Sequence, residues 1–269
     1  KQFDMIKRLE LDEKSHFELV NYCKNKNVDF LSTAFDINSI DFLYKLGIPF
    51  FKIPSGELTN LPYLRHVASK NIPVVMSTGM ASMKEIKTSF NILVDSGLDS
   101  KDIKIMHCNT EYPSPMNDVN LNAMISIRDE IGVEIGYSDH TLGIEVSIAA
   151  VALGAKIIEK HFTLDRKMSG PDHAASLEPD ELKEMISCIR NIESALGSPN
   201  KYPTKSELKN IPVIRKSIVA KKKINKGEKF SSDNLDVKRP GNGLSPMLWD
   251  EIIGSISKYN FDIDEMIKI

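Results

Sequence analysis

Two histidines of this sequence, His140 and His161, are spaced so that they could hold a metal ion together. Each closes a short apolar segment, 134–140 or 157–161, and the apolar segment 144–153 between them has helical character. A strand, a crossover helix and a second strand would bring both imidazoles to the same end of neighbouring parallel strands. Imidazole is the commonest metal ligand in proteins, so the pair predicts a divalent cation site with positions left open to substrate. Hydrogen-bonded structural histidines are the alternative interpretation.

A lysine and several hydroxyl groups at strand ends indicate an anion site in the same region. Lys52 interrupts the apolar run 50–53, and a lysine buried there needs a counter-charge. A substrate phosphate or carboxylate would supply that charge, and the hydroxyl groups would add hydrogen bonds. The hydroxyl-bearing candidates are Thr33, Ser55, Ser77 and Ser138. Glu57 is the alternative partner of Lys52, and any single hydroxyl is as simply explained as a helix cap.

The elements that would carry these side chains alternate strands with helices. Six short apolar segments predict strands, at 29–35, 50–55, 73–78, 103–109, 134–140 and 157–163. Ser82 and Glu85 form a capping-box signature for a helix that stops at Gly97, and another helix starts at Pro179 and stops at Gly197. Strict alternation predicts a parallel sheet covered by helices. Polar residues at the carboxyl ends of successive strands favour a (β/α)8 TIM barrel over a doubly wound open sheet.

The pattern changes after residue 197. Residues 198–212 are polar and contain prolines, which indicates a linker between a barrel domain at 1–197 and a small domain at 213–269. The small domain contains a Gly/Pro-rich loop at 240–246, directly after Arg239. A domain of this size buries little core by itself, so we expect it to dock on another surface.

The composition excludes several classes of function. The chain of 269 residues is 41% hydrophobic and 27% charged, with a net charge of −2, so no overall field favours nucleic acid or an anionic membrane. The basic stretch 215–229 lacks interleaved aromatic residues and is best explained as a solvated face. No apolar run approaches transmembrane length. Three widely spaced cysteines without a C-x-x-C pair favour a reducing, cytoplasmic setting.

Eight segments together resemble the sialic acid synthase family, the enzymes that make nonulosonic acids from phosphoenolpyruvate. They are STAFD (32–36), FKIPSGE (51–57), STGM (77–80), HCNTEYP (107–113), YSDH (137–140), EKHFT (159–163), SGPDH (169–173) and KRPGNG (238–243). They run through nearly the whole chain, and their order and number make the resemblance specific. The tail from Val213 resembles the family's antifreeze-like (SAF) domain, a β-clip.

The resemblance implies roles for single residues. His140 and His161 match the two protein ligands of a manganese or magnesium ion. The phosphoenolpyruvate pocket is matched by Thr33, Lys52, Ser55, Ser77 and Ser138. Groups around an N-acetylated amino sugar are matched by Asn109, Tyr112 and Asp172. The expected catalytic residues are Lys52, Glu57, His140 and His161, of which Glu57 matches a carboxylate near the reacting centre.

The resemblance also implies an assembly and a longer natural protein. Arg239 matches the arginine that the SAF domain inserts into the partner subunit's barrel, which makes a homodimer the expected functional unit. The family's barrel begins with two strand–helix units that have no counterpart in these 269 residues. Those units carry an acidic residue and a lysine of the active site, so we expect the natural protein to be longer.

The reaction implied by the resemblance is a metal-dependent condensation of phosphoenolpyruvate with open-chain N-acetylmannosamine, which gives N-acetylneuraminate and phosphate. Legionaminic acid synthase, which uses 2,4-diacetamido-2,4,6-trideoxymannose, shares the same motifs and is the alternative. A non-catalytic binding module is a further alternative, disfavoured by the intact histidine pair and Lys52. A phosphosugar-condensing aldolase on the same barrel is disfavoured because the strand ends show no second basic cluster.

Overall fold

The computed structural model describes the backbone of residues 2–269 and the side chains of residues 3 and 7–269. The chain divides into two compact units, Lys1–Gly197 and Ser198–Ile269. The helices of the first unit are α1 (Gln2–Leu9), α2 (Glu13–Asn25), α3 (Ile37–Leu46), α4 (Leu61–Ala68), α5 (Met83–Asp95), α6 (Leu121–Ile131), α7 (Glu145–Ala152) and α8 (Pro179–Leu196). Its strands are β1 (Phe51–Ile53), β2 (Val74–Ser77), β3 (Ile103–Cys108), β4 (Ile135–Asp139) and β5 (Ile157–Lys160). Short 3-10 helices cover Ser55–Glu57, Ser100–Asp102, Met116–Asp118 and His173–Ala175.

The five strands form one parallel sheet whose spatial order is the chain order, β1-β2-β3-β4-β5. A parallel sheet that adds each new strand beside the last, with a helix in every crossover, curls in one direction. The sheet is accordingly a half-barrel of the (β/α)8 type, which confirms the predicted fold class.

Strand alternation separates an apolar face from a polar one. Phe51, Ile53, Met76 and Tyr137 point into the main core, which lies between the sheet and its helices. The residues between them in sequence, such as Lys52 and Ser138, therefore project from the concave face. Of the polar groups that the sequence marked at strand ends, Lys52, Ser77 and Ser138 share that concave face because they lie at alternate positions of their strands.

The helices begin and end where local signals predicted. Ser82 and Glu85 form both hydrogen bonds of the capping box, with Ser82 N donating to Glu85 Oε2 at 2.8 Å. Gly97 follows α5 with a φ of 111°, a conformation that glycine adopts at little cost. The helix predicted from Pro179 is α8, and the apolar segment 144–153 contains α7. None of the helices in the described part of the chain combines the length and hydropathy of a membrane span.

The strand predicted at 29–35 was wrong. Residues 28–34 have no regular secondary structure, and the edge of the sheet is β1. The segment is held by a side chain instead, since Tyr63 Oη donates to the carbonyl of Ala34 at 2.7 Å. Apolar residues such as Leu31 and Phe35 remain exposed. An apolar run forms a strand only where a neighbouring backbone completes the ladder, and the sequence pattern does not report that neighbour.

The second unit is small and mostly irregular. Its elements are α9 (Lys205–Leu208), α10 (Ile211–Ile214), β6 (Ser217–Ala220), β7 (Leu235–Lys238) and α11 (Trp249–Ile252), with a 3-10 helix at Pro246–Leu248. The strands β6 and β7 pair antiparallel. A core of its own contains Ile218, Phe230 and Phe261 among other buried residues. The first two helices of this unit lie in or next to the segment predicted as a linker, 198–212.

The close contact of β4 with its neighbours predicts that Gly136 cannot be enlarged. A Cβ at this position would lie 2.8 Å from the carbonyl oxygen of Ile157 and 2.9 Å from Met106 Cγ. We expect Gly136→Ala to lower the free energy of unfolding of the first unit by about 1–3 kcal/mol because the sheet must spread. Urea titration followed by far-UV circular dichroism measures this change.

Gly56→Ala is the matched control, because a Cβ at Gly56 has no heavy atom within 4 Å. Its unfolding free energy should stay within about 0.5 kcal/mol of the parent. The only tryptophan of the sequence, Trp249, belongs to the second unit, so its fluorescence reports on that unit separately. Equal stability of the two variants would show that β4 and β5 tolerate the added methyl group.

Candidate active site

The centre of the concave face is an ion pair that the local sequence did not predict. Lys52 Nζ on β1 lies 3.1 Å from Glu159 Oε1 on β5. The same carboxylate oxygen accepts a hydrogen bond from Ser138 Oγ on β4 at 2.6 Å. The Lys52 side chain is only 14% exposed, whereas that of Glu159 is 42% exposed. The pair thus has one partner held in the barrel and one reaching towards solvent.

Glu57, offered by the sequence as a partner for Lys52, lies elsewhere. Its Oε2 accepts a hydrogen bond from Asn60 Nδ2 at 2.6 Å, next to the start of α4. Glu159 is therefore the carboxylate that sequence reasoning missed. It occupies the position two residues before His161, so strand alternation gives both side chains the same face, and that spacing was the available signal.

The two predicted histidines are neighbours. The ring centroids of His140 and His161 lie 5.4 Å apart, with the ring planes at 88°. His140 Nδ1 lies 2.5 Å from the carbonyl oxygen of Asn109, and its Nε2 lies 3.2 Å from Ser138 Oγ. Ser138 Oγ, which donates its proton to Glu159, thus lies between the His140 ring and the Lys52–Glu159 ion pair.

The environment of His140 fits a metal ligand. A carbonyl oxygen only accepts hydrogen bonds, so Nδ1 carries the proton and the neutral ring has its lone pair on Nε2. A hydrogen bond from the other ring nitrogen to a carbonyl is the usual support of a histidine that binds a metal. Burial lowers the pKa of His140, and the nearby His161 lowers it further, which favours the neutral, ligating form.

The two rings would supply part of a coordination shell. His161 Nδ1 lies 3.8 Å from Asp172 Oδ2. Among the residues whose side chains the structure describes, no three histidine, cysteine, aspartate or glutamate residues gather as a complete metal site. An ion held by His140 and His161 would therefore keep positions open for water or substrate oxygens, as the sequence interpretation required.

Tyr112 packs beside both histidines. Its ring centroid lies 4.2 Å from that of His140 and 5.4 Å from that of His161. The Tyr112 side chain remains 44% exposed at the carboxyl ends of the strands. The structure brings the three expected sugar contacts together with the histidines. The Asn109 carbonyl contacts His140, the Tyr112 ring packs on both histidine rings, and the Asp172 carboxylate lies near His161.

The serine residues divide into partnered and unpartnered groups. Ser55 Oγ accepts a hydrogen bond from Gly79 N at 3.0 Å and lies 3.4 Å from Cys108 Sγ. Gly79 is required for this approach, because a Cβ there would come within 2.5 Å of Thr110 Cγ2. Ser77 is 3% exposed, and its Oγ has no hydrogen-bond partner among the described residues. A buried hydroxyl without a partner is unusual, and a hydrogen bond to a ligand is one way to satisfy it.

Besides Glu57, Thr33 also lies outside this cluster. Thr33 lies in the irregular segment before α3, where it lines a cavity with His16 and Phe42. Arg239 belongs to the second unit, where its Nε donates to the carbonyl of Ile214 at 3.0 Å. The cluster itself consists of residues from β1, β2, β4 and β5 and from the segments that follow β1, β3, β4 and β5.

Comparison with known proteins identifies relatives along the whole chain. The model of the NeuB family matches residues 1–201, and the SAF domain matches residues 215–269. The N,N'-diacetyllegionaminic acid synthase of Campylobacter jejuni is 54% identical, over 99% of this chain and 80% of its own length. The enzyme of that name from Legionella pneumophila is 43% identical, over 94% of this chain and 72% of its own length.

A solved structure has the same fold. The N-acetylneuraminic acid (sialic acid) synthetase of Leptospira borgpetersenii, in complex with citrate, superimposes with a TM-score of 0.73 at 34% identity. The match covers 77% of this chain and 72% of that one. The chain described above belongs to the NeuB family of nonulosonic acid synthases and carries a SAF domain.

Proposed function

We propose that this protein condenses phosphoenolpyruvate with the open-chain form of an acetamido sugar and releases phosphate. The observation that carries the proposal is that Lys52, Glu159, Ser138 and His140 lie next to one another in a row, with His161 beside it. A cationic group for an anionic substrate and a pair of candidate metal ligands thus share one concave face. Such a condensation needs both, one to hold the enol phosphate and one to activate the aldehyde.

The anionic substrate has two groups prepared for it. Lys52 Nζ is nearly buried and is balanced by a carboxylate that reaches towards solvent, so a phosphate or carboxylate can join or replace Glu159 as its partner. Ser77 Oγ lacks a partner among the described residues and lies on the same face as Lys52 by strand alternation. Fixing the phosphate at these groups would hold carbon 3 of the enol near the histidine pair.

The aldehyde would be activated at the histidines. A divalent ion held by His140 and His161 would supply Lewis-acid polarisation of the sugar aldehyde when bound. The Asn109 carbonyl keeps the His140 ring in the tautomer that leaves Nε2 free to ligate. Tyr112 covers one side of both rings and presents an apolar surface with a hydroxyl to the sugar.

The proposed bond changes are balanced. The enol electron pair forms the bond from carbon 3 to the aldehyde carbon, the carbonyl π electrons move to the aldehyde oxygen, and positive charge develops at carbon 2. Water adds at carbon 2 and loses one proton, while the aldehyde oxygen gains one and becomes a hydroxyl group. The adduct at carbon 2 then loses its second proton and collapses to a ketone, which breaks the bond to the phosphate oxygen and releases phosphate. The carboxylate of Glu159 would stabilise the developing charge, the role expected from the resemblance for Glu57.

For the sugar we propose 2,4-diacetamido-2,4,6-trideoxymannose, with N-acetylmannosamine as the rival. Relatives at 54% and 43% identity carry the name N,N'-diacetyllegionaminic acid synthase, which supports the diacetamido sugar. The likeness to a sialic acid synthetase structure supports N-acetylmannosamine, the sugar that the sequence analysis put first. The two acceptors differ at carbons 4 and 6, far from the aldehyde, so both would present the same reacting group to the histidines.

We further propose that the functional unit is a homodimer in which Arg239 reaches the partner's barrel. The proposal is supported by the exposure of Arg239 and by the bond from its Nε to the Ile214 carbonyl, which fixes the base of the guanidinium. A guanidinium presented in this way suits bidentate contact with sugar oxygens or a carboxylate.

The proposed reaction is tested by phosphate release from phosphoenolpyruvate, with the two sugars side by side and with manganese or EDTA. We expect manganese-dependent release with the diacetamido sugar, at a kcat/KM at least about tenfold above that with N-acetylmannosamine. The reverse preference would assign a sialic acid synthase. Release with neither sugar, together with no binding of manganese, would favour the non-catalytic module.

The metal site is tested by His140→Ala. Removing one of two protein ligands should abolish manganese-dependent turnover and manganese binding, while far-UV circular dichroism stays unchanged. Manganese binding is measured by the paramagnetic resonance signal of the free ion during titration. His66→Gln is the control, because His66 pairs with Asp41 on the helical side of the sheet. This variant should retain manganese-dependent turnover and manganese binding. Full activity of the alanine variant in EDTA would exclude metal-assisted chemistry.

The anion site is tested by Lys52→Met, which keeps the length of the side chain and removes its charge. Loss of a charge-assisted bond to the substrate should raise KM for phosphoenolpyruvate by about 10- to 100-fold. The KM for the sugar should change much less. Lys87→Met, which removes the exposed pair with Glu130, is the control and should leave both constants unchanged. A rise confined to the sugar KM would contradict the assignment of Lys52.

A further inference from the structure

A second ion pair joins β4 and β5 on the face opposite to the histidines. Asp139 Oδ2 on β4 lies 3.0 Å from Lys160 Nζ on β5, and the two residues are register partners in the parallel ladder. Their side chains are 0% and 3% exposed. Each residue comes directly before a histidine of the site, so strand alternation turns the ion pair towards the helices and the histidines towards the concave face.

Every polar atom of this pair has a partner. Asp139 Oδ1 accepts hydrogen bonds from Thr141 N at 2.9 Å and from Thr141 Oγ1 at 2.7 Å. Asp139 Oδ2 also accepts from Ser147 Oγ on α7 at 2.6 Å. Lys160 Nζ donates to the carbonyl of Thr141 at 2.6 Å. The network therefore binds both backbone groups of the residue that follows His140.

A buried ion pair of this kind is weak evidence for stability. Desolvation of two charges offsets most of their attraction, and well-packed apolar residues often serve stability equally well. The network does, however, fix the positions of the backbone beside the histidines. Four hydrogen bonds and one ion pair hold residues 139–141 and Lys160 of β5 relative to one another. His140 lies in the middle of the first set, and His161 follows Lys160.

We propose that Asp139 and Lys160 are positioning residues that set the separation of His140 and His161 for a divalent cation. Lys160 ties β5 to Thr141, and Asp139 ties Thr141 to β4 and α7, so neither histidine can shift along its strand without breaking the network. The inference rests on the metal site of the proposed function. Without the network the two rings would lose their fixed spacing although both ligands remain.

Two variants test this role. Lys160→Met removes the tie between β5 and Thr141 but leaves the Asp139 carboxylate buried without its cation, which endangers folding. Asp139→Asn combined with Lys160→Met removes both charges. The amide oxygen can still accept from Thr141 N, and the amide nitrogen can donate to Ser147 Oγ, because a hydroxyl group also accepts. The readout is manganese affinity without substrate, measured by paramagnetic resonance on the full chain, with circular dichroism and urea titration as checks on folding.

The control is Lys104→Met. Lys104 pairs with Glu134 across β3 and the start of β4 at 2.7 Å, and this pair is well exposed. We expect the folded Lys160 variants to bind manganese at least about tenfold more weakly than the parent, the range typical of supports behind metal ligands. The control should stay within about twofold, since an exposed pair contributes little.

The outcomes separate this inference from the metal assignment. If the parent binds no manganese, the metal site and the positioning role both fail. If the parent binds it, His140→Ala does not, and the double variant binds as the parent does, only the positioning role is overturned. Equally weakened manganese binding in Lys104→Met would indicate a general loss of sheet order. Failure of both Lys160 variants to fold would show that the ion pair is needed for folding itself. Both results reject the inference.

Discussion

The contact between Lys52 and Glu159 is the interaction on which the site depends. The two residues are 107 positions apart and belong to β1 and β5, the two edges of the five-stranded sheet. Edge strands of a flat sheet of this width are well separated, so an ion pair of 3.1 Å between them requires a strongly curled sheet. Curvature, created by the parallel crossovers, is thus what brings Lys52 to the strands that carry the histidines.

The pair also shows why a lysine can lie inside the barrel. Its charge is compensated by one carboxylate oxygen, which Ser138 shares at 2.6 Å. Since Glu159 is partly exposed, the desolvation free energy of this pair is smaller than that of a fully buried pair. In the proposed reaction, a substrate anion would meet a cation that is already largely dehydrated and oriented, which is the general basis of preorganised binding.

Local features of the fold were predictable from the sequence, and features that need a distant partner were not. The start of α5 follows from Ser82 and Glu85, which lie within a single helical turn, and the structure confirms it. The strand expected at 29–35 failed because strand formation depends on a neighbouring backbone that no local pattern reports. The last predicted strand, at 157–163, was too long, since the ladder with β4 stops at Lys160 and an isolated bridge from Phe162 to Leu177 follows it. In the site, the nearness of His140 and His161 followed from one strand–helix–strand unit.

The partner of Lys52 was beyond such reasoning. Glu57 was offered because it is close in sequence, whereas Glu159 is close only through the closure of the sheet. The buried network around Asp139 was missed for a different reason. Its residues alternate with the polar residues of the site, and a sequence pattern gives no means of telling which polar face contacts solvent and which contacts helices.

The presence of charged networks on both faces of β4 and β5 has a consequence for the way the protein opens. Ser138 and Glu159 cross-link the two strands on the concave side, and Asp139 and Lys160 cross-link them on the other. A fluctuation that separates the strands must break both networks together with the ladder. A partial opening would therefore lose many contacts while the chain gains little conformational entropy. The two strands should therefore behave as a single cooperative unit. Under partly denaturing conditions, each molecule would then either have lost the whole site or have kept it intact.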